Sequence, residues 1–394
     1  MLTFDPQDPA YQRSGVPFDV LGRIREEQPV CPTPAGGWYL SRQEEILDAL
    51  KDVGTFRTDL ARSSGLGGIE EVPDDQLFLS EIAEPRHGQV RRLYNAYFGP
   101  HRLGRVAPFV RQICTGLLDA LVARGEGDMH AEYALPIPSL VMAHVMGLPD
   151  EAAQKFIEWS LDGTVMLRPA TPGMYQGGPA IQAYFAGVLA ARRRMPDPPD
   201  DVFRALMRAE VGGAPLSDTE IVTQLQFMIQ AGVHTTRGLL THLMHRLLVD
   251  ATLYRQLRED PDLIPRMVEE SLRHDAPVLS TTRRCTRDVS LGGVQMREGD
   301  WVHVGLGSAN RDATVYEEAE EFRLDRRDPR NHLAFGAGPH VCPGASLARL
   351  EAVTAVEVLV DLVADLSTVP GVDYPPLPGG LGHRPIPARL LGAR

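Results

Sequence analysis

Within Asp218–Val249 apolar residues recur at three- and four-residue spacing from Glu220 onward, the pattern of an amphipathic helix. At ~1.5 Å per residue such a helix runs about 48 Å, so it must cross the core of whatever domain contains it. Its start is marked by Ser217 and Glu220, which together read as a capping box: the hydroxyl accepts from the N–H three residues on, and the carboxylate reaches back. The middle, Ala231-Gly232-Val233-His234-Thr235-Thr236, is poor helix material. Glycine costs about 1 kcal/mol against alanine in a helix interior, and paired threonines can bond back to carbonyls and bend the helix. A kink is therefore expected in mid-helix. Such a kink can be merely tolerated or put to use.

Around this element the same periodicity predicts further helices over Val106–Val122, Ala180–Ala191 and Ala345–Leu362. Strand-like material is confined to Gly36–Ser41, around Trp38, and to Val289–Val304, which reads as strand, glycine-rich turn, strand. The rest of the carboxyl half reads as loop, with proline and glycine clustered over Pro370–Pro387. Repeats and interdomain linkers are absent, so the expectation is one domain over residues 1–394, mainly α with small β-sheets.

Acidic residues exceed basic ones by 52 − 40 = 12, which argues against nucleic acid as a partner because that surface needs to be basic. Met1–Glu27 is polar and contains no apolar run of signal or anchor length, giving the expectation of a cytoplasmic chain off the membrane. Cys31, Cys114, Cys285 and Cys342 are scattered, without a CxxC pair or a disulfide spacing. Free thiols in a reducing compartment are expected.

Cys342 differs from the other three in its setting. The stretch Phe335-Gly-Ala-Gly-Pro-His-Val-Cys-Pro-Gly344 packs three glycines before or after the thiol and two prolines into ten residues, which describes a rigid, tightly turned loop. Pro343 stands where the first residue of a helix would be, and apolar periodicity resumes at Leu347, Ala348, Leu350 and Val353. A thiol at a helix N-terminus is biased toward thiolate. Three roles suit it. A nucleophile would need a base such as His340, and His-x-Cys alone is weak support for that. A zinc ligand would need companions that this neighbourhood lacks. A haem axial ligand needs no second protein group on its side, only backbone N–H groups to temper its charge; Pro343 has none, so Gly344 and Ala345 must supply them.

Phe335, Gly338, Cys342 and Gly344 match F-x-x-G-x-x-x-C-x-G, and the chain in this respect resembles the cytochrome P450 family, with His340 and Leu347-Ala-Arg-Leu-Glu351 resembling its bacterial form. The resemblance implies a mainly α fold with the long helix over haem b, and Cys342 as the iron ligand. It implies that Glu270 and Arg273, with Arg326 (or Arg327) as third member, lock a helix to the segment feeding the loop. His87 and Arg91, with Arg283 and His332, fall where the family binds the haem propionates. Phe335 and Gly344 shape the loop, and Ser308–Asp312 is a further family phrase. Ala231–Thr236 takes the place of the family's dioxygen groove, so Ala231 would line it and Thr235 would pass protons during dioxygen activation. His234 departs from the pattern by replacing an acidic residue; an imidazole titrates near neutrality and is carried as a second candidate in that relay.

By the same resemblance the pocket walls are Ala61–Leu79, Phe227 with Ala231, Val278, Leu279 and the segment to Thr282, and Gly379–Ile386. The tail Gly382–Leu390 is similar to P450s that couple aromatic rings of cyclic dipeptides, which singles out His383 and Arg384. The family implies an enzyme, a monooxygenase acting on a small organic substrate with dioxygen and fed by a separate ferredoxin-type partner. Positive charge concentrated at Arg91, Arg92, Arg102, Arg105 and Arg349 gives the expectation that an acidic partner docks on the cysteine face. Oxidative C–C or C–N coupling without oxygen insertion is the alternative that His234 and the tail motivate. A haem-binding sensor or carrier without turnover is the alternative from another class.

Overall fold

The structure is a computed structural model that describes residues 2–6, 8, 10, 11, 15–58, 73–161 and 179–393, without the side chains of 100, 101, 160, 161 and 179. The expected pocket wall over 61–72 lies outside the described residues. Two compact units are formed: Met1–Arg57, Ala107–Ile137 and Thr235–Arg394 make the first, and Thr58–Val106 with Pro138–His234 the second.

In the first unit a five-stranded sheet runs in the order Val30–Pro32, Trp38–Leu40, Trp301–Val304, Thr281–Cys285, Phe56–Arg57. Trp301–Val304 pairs parallel to Trp38–Leu40 and antiparallel to Thr281–Cys285. Val30, Leu40, Ile46, Leu50, Phe56, Met296, Val302 and Val304 form the core beneath it. Val289–Val304 holds three strands where two are expected. Val289–Leu291 and Val294–Met296 close a hairpin about Gly292 and Gly293, at φ +55° and +76°, the left-handed conformation that two-residue turns demand. Trp301–Val304 is separate because Gly299, at φ +86°, turns the chain out of the hairpin.

The carboxyl end is also less irregular than its prolines suggest. Pro387–Gly392 is a strand, central in a three-stranded sheet between Val363–Thr368 and Glu126–Asp128. One partner lies across the preceding proline-rich loop and the other at Glu126–Asp128, so local turn chemistry gives no sign of it. The helix preceding Glu126, Pro100–Arg124, contains a segment, Arg102–Arg124, long and apolar enough to cross a membrane. Val110, Cys114, Leu118 and Leu121 on that segment are at most 1% exposed, and Arg111 pairs with Glu357; this is the buried stripe of a core helix.

In the second unit Phe156, Phe185 and Phe203 pack together, with ring centroids 6.2–6.3 Å apart. The long helix is continuous from Asp218 to Val249, through the segment expected to interrupt it. Gly232 is explained by packing: a Cβ there would stand 2.9 Å from Met142 Sδ. The capping box is only half made. The Glu220 N–H donates to Ser217 Oγ at 3.1 Å, but the Glu220 carboxylate pairs with Arg86, a charged partner that outcompetes the backbone N–H.

Candidate active site

The cysteine loop is held by its own backbone. The Cys342 N–H donates to Phe335 O at 2.9 Å, Val341 N–H to Gly338 O at 3.1 Å, and Gly336 N–H to Leu333 O at 2.9 Å. Gly338 has φ +69°, and a Cβ there would lie 2.4 Å from Leu50 O, so both conformation and space require glycine. The following helix, Ala345–Leu362, begins with Gly344 as its N-cap. Pro343 therefore precedes the cap instead of opening the helix, because Gly344 at φ −86°, ψ 2° inserts one more non-helical residue. A Cβ on Gly344 would be 3.9 Å from Cys342 Sγ, so the sulfur lies beside the helix start. Cys342 is partly accessible while the other cysteines are buried. Burial pushes the thiols of Cys31 and Cys285 up to about 11 and Cys114 up to about 12, which keeps all three protonated at neutral pH.

Behind the loop stand two adjacent glutamates on the helix Ile264–His274. Glu270 takes Arg273 in two hydrogen bonds, at 2.8 and 2.7 Å, and Arg326 Nε at 2.9 Å. Arg273 continues to the carbonyls of Asn310, Ala319 and Glu321 at 2.7–2.8 Å; Arg326 continues to those of Glu317, Glu318 and Glu321 at 2.7–3.0 Å. Glu270 and Arg273 are each 1% exposed. Arg326, not Arg327, is thus the third member. Burial alone would raise the Glu270 carboxyl, but Arg273, the Arg323 N–H and Arg326 together outweigh it and the net shift is downward.

Sequence reasoning missed Glu269. Its carboxylate accepts from Arg349 Nε at 2.6 Å and Nη2 at 2.9 Å, and meets His332 Nε2 at 2.9 Å. It bridges the segment entering the loop and the helix leaving it. Arg349 also lies over the Phe335 ring, 4.5 Å from its centroid. Against the upward push of burial, His332 and Arg349 hold this carboxyl at about 2. The only local signal was a second acid beside Glu270.

The expected propionate donors stand differently from one another. Arg283 is 4% exposed; it donates to Thr282 O at 2.9 Å and Thr281 Oγ1 at 3.3 Å, and its Nε has no partner. No carboxylate pairs with it among the described residues, and burial pulls its pKa down to about 10. An uncompensated buried guanidinium calls for an anion, which is what a haem propionate supplies. His332 is occupied: Nε2 is on Glu269, and Nδ1 accepts from the Ala334 N–H at 3.3 Å. To hold a propionate it must give up that long contact and carry a proton on Nδ1. His87 and Arg91 lie in the second unit on the helix Arg86–Phe98; His87 Nδ1 meets Glu84 at 2.8 Å and Arg91 Nε donates to Asn95 at 3.3 Å. An accessible thiol at a helix start and an orphaned buried guanidinium in the same unit fit a haem b.

Along the long helix, Phe227 is half-buried, Ala231 exposed and Thr235 half-buried, a four-residue spacing that puts them on one face. Val233 and His234 beside them are 0% and 1% exposed. Phe227 stacks on Phe78 with centroids 5.3 Å apart and meets Tyr94 edge-on at 6.4 Å. Leu279 fills a notch cut by glycines: a Cβ on Gly307 or Gly380 would come within 2.7 or 2.9 Å of it. Val278 packs on the sheet core. His383, exposed, stacks on the buried His130 with centroids 4.6 Å apart, and Arg384 is half-buried.

The family model described as Cytochrome P450 matches residues 180–362. Cytochrome P450 107B1 of Saccharopolyspora erythraea is 33% identical over 87% of this chain and 87% of its own. Cyclomarin C epoxidase CymV of Salinispora arenicola is 32% identical over 89% of each. Among solved structures, a mutant of P450 EryK in complex with erythromycin B superposes with TM-score 0.86 at 28% identity, covering 96% of this chain and 97% of that one. The chain belongs to the cytochrome P450 family. It is a bacterial-type haem b oxidoreductase with a mainly α fold and small sheets, and a monooxygenase by family.

Proposed function

We propose that the chain oxidises a small secondary-metabolite substrate as a cytoplasmic monooxygenase, a single P450 domain over residues 1–394 fed by a separate ferredoxin-type protein. The observation that carries this is the Cys342 loop, the one accessible thiol at a helix start. Relatives named for cyclomarin C epoxidation and crystallised with erythromycin B support the substrate class, and matches over 87–89% of the chain support one domain.

When bound, haem b supplies dioxygen activation driven by electron donation from its thiolate ligand. The protein's part is to ligate, orient and protonate. Cys342 Sγ provides the ligand, with the N–H groups of Gly344 and Ala345 to moderate its charge. Arg283, His332, His87 and Arg91 hold the propionates. Thr235 Oγ1, on the accessible face with Ala231 and Phe227, moves protons; His234 is the second member of the relay. Phe227, Val278, Leu279, His383 and Arg384 shape the substrate side. For the electron donor, Arg91, Arg92 and Arg105 offer positive charge, whereas Arg102 is paired with Asp200 and Arg349 with Glu269 and both contribute less.

The test is the reduced, CO-bound spectrum. Cys342→Ser should lose the red-shifted thiolate Soret band, while Cys31→Ser, Cys114→Ser and Cys285→Ser keep it. A thiolate band surviving in Cys342→Ser overturns the assignment.

A further inference from the structure

Two residues beyond Thr235 the long helix carries a charge that nothing in the fold explains. Arg237 is 5% exposed, its Nε has no hydrogen-bond partner, and among the described residues no carboxylate pairs with it. Burial lowers its pKa, the sign of a cation without compensation. Leaving a guanidinium in that condition is costly. A residue of this kind is poorly accounted for by packing, since an apolar side chain would fill the space at no such cost.

Its surroundings are equally short of acid. Thr241, one turn on, donates its hydroxyl to Arg237 O at 2.7 Å. The Thr241 oxygen is then left to accept from His130 Nδ1–H at 2.9 Å, and the His130 ring stacks on His383 at an interplanar angle of 18°. Burial first, and then the charges of His383 and Arg237, pushes His130 down to about 4, while partial burial and then Arg237 lower His383, so both are neutral at pH 7. Asp128 is the acid adjacent to His130, but its Oδ1 already accepts from the N–H groups of His130, Ala131 and Ile386, at 2.8, 3.2 and 2.9 Å. The group has one fixed positive charge, two neutral rings, and one exposed ring, that of His383.

We propose that Arg237 and His383 form a recognition site for the carboxylate of a small organic molecule. The fork of a guanidinium matches a carboxylate in two parallel hydrogen bonds, and a single fixed cation balances a monoanion. A phosphate dianion would need further donors that this group lacks. Arg237 lies about 200° round the helix from Thr235, so it faces away from the accessible Phe227–Ala231–Thr235 stripe, and His383 is the residue that this site shares with the proposed substrate side. The inference rests on the monooxygenase reading only where the carboxylate belongs to the oxidised substrate; a free carboxylate from solution needs no such reading.

Calorimetric titration of the full-length, haem-loaded protein with sodium benzoate, against the neutral isostere benzamide, tests it. Wild type should bind benzoate saturably and benzamide at least about tenfold more weakly, the worth of one charge-assisted contact. Arg237→Gln should lose benzoate binding by a similar factor while Arg237→Lys retains part of it, with the CO spectrum confirming that both fold. The His383 imidazole Cε1–H resonance should shift on benzoate addition in wild type and not in Arg237→Gln. A Soret shift accompanying binding would assign the carboxylate to a substrate that reaches the haem; binding without one would assign it to a free anion, and both support carboxylate recognition. Benzoate and benzamide binding alike, unchanged binding in Arg237→Gln, or no binding to a protein with a normal thiolate spectrum overturns the site and leaves the P450 assignment intact.

Discussion

Glu351 shows how much one residue can determine without touching the chemistry. It is 1% exposed and its Oε2 has no partner, and burial raises its carboxyl well above the ordinary range. The folded chain thus keeps a proton that the unfolded chain releases near pH 4.3. Its stabilising effect is complete below that pH and declines as pH rises toward the folded value. Glu351→Gln removes the dependence, so its Tm should exceed wild type at pH 7 and the gap should close toward pH 4. A gap that does not change between those pH values would show that Glu351 is ionised in the fold. Thr235 is the residue on which the kind of oxidation turns. Thr235→Ala should consume NAD(P)H at a normal rate but release hydrogen peroxide, with product formation down on the order of 10²–10⁴-fold. His234→Ala should behave the same if the imidazole feeds Thr235, and like wild type if its burial at 1% exposure reflects packing alone. Cys342 was legible because its chemistry is written in ten consecutive residues. Arg237 and His130 were not, because what makes each unusual is a partner, or the lack of one, more than a hundred residues away along the chain.

At the scale of elements, the helix Ile264–His274 and the loop of Cys342 behave as one clamped body. Glu270 binds it to the segment before the loop through Arg273 and Arg326, and Glu269 binds it to both flanks of the cysteine through His332 and Arg349. Removing Glu270 leaves two buried arginines unpaired, at a cost of roughly 3–5 kcal/mol, so Glu270→Ala should yield little folded holoprotein. Glu269→Gln keeps the shape and loses the charge. It should fold, but under mild urea its CO complex should shift from the thiolate band to the thiol band at lower denaturant than wild type. Equal midpoints would show that the charge of Glu269 does not hold the loop. The elements themselves were largely visible in advance: the helix Ala345–Leu362 has the bounds that periodicity gives, and Asp218–Val249 those that periodicity and the Ser217 cap give together. The strand Pro387–Gly392 was hidden, since its prolines suit an irregular tail and only its sheet partners order it.

For the molecule as a whole, the carboxylates that hold these elements also set where acid destroys it. Glu269, Glu270 and Asp275 all have folded pKa values below their unfolded ones, despite burial that opposes this. His332 and Arg349 hold Glu269 at about 2, Arg273 lowers Glu270, and His274 with Arg246 lowers Asp275. A group lowered in this way lends stability that is present above its unfolded pKa, ~4 for these acids, and is lost as pH falls through the folded value. The window is therefore from about pH 4 down to about pH 2. Each such carboxylate adds a slope of up to ~1.4 kcal/mol per pH unit within it. Acid should then release haem and unfold the chain cooperatively, because the three acids share the helix Ile264–His274 and the residue that follows it. Urea midpoints measured from pH 6 to pH 2.5 should be flat above pH 5 and fall steeply below pH 4. Glu269→Gln and Asp275→Asn, which cannot be protonated, should start lower at pH 6 and fall less steeply. If either variant lost stability with the same slope as wild type, that carboxylate would not be among the groups whose protonation unfolds the protein.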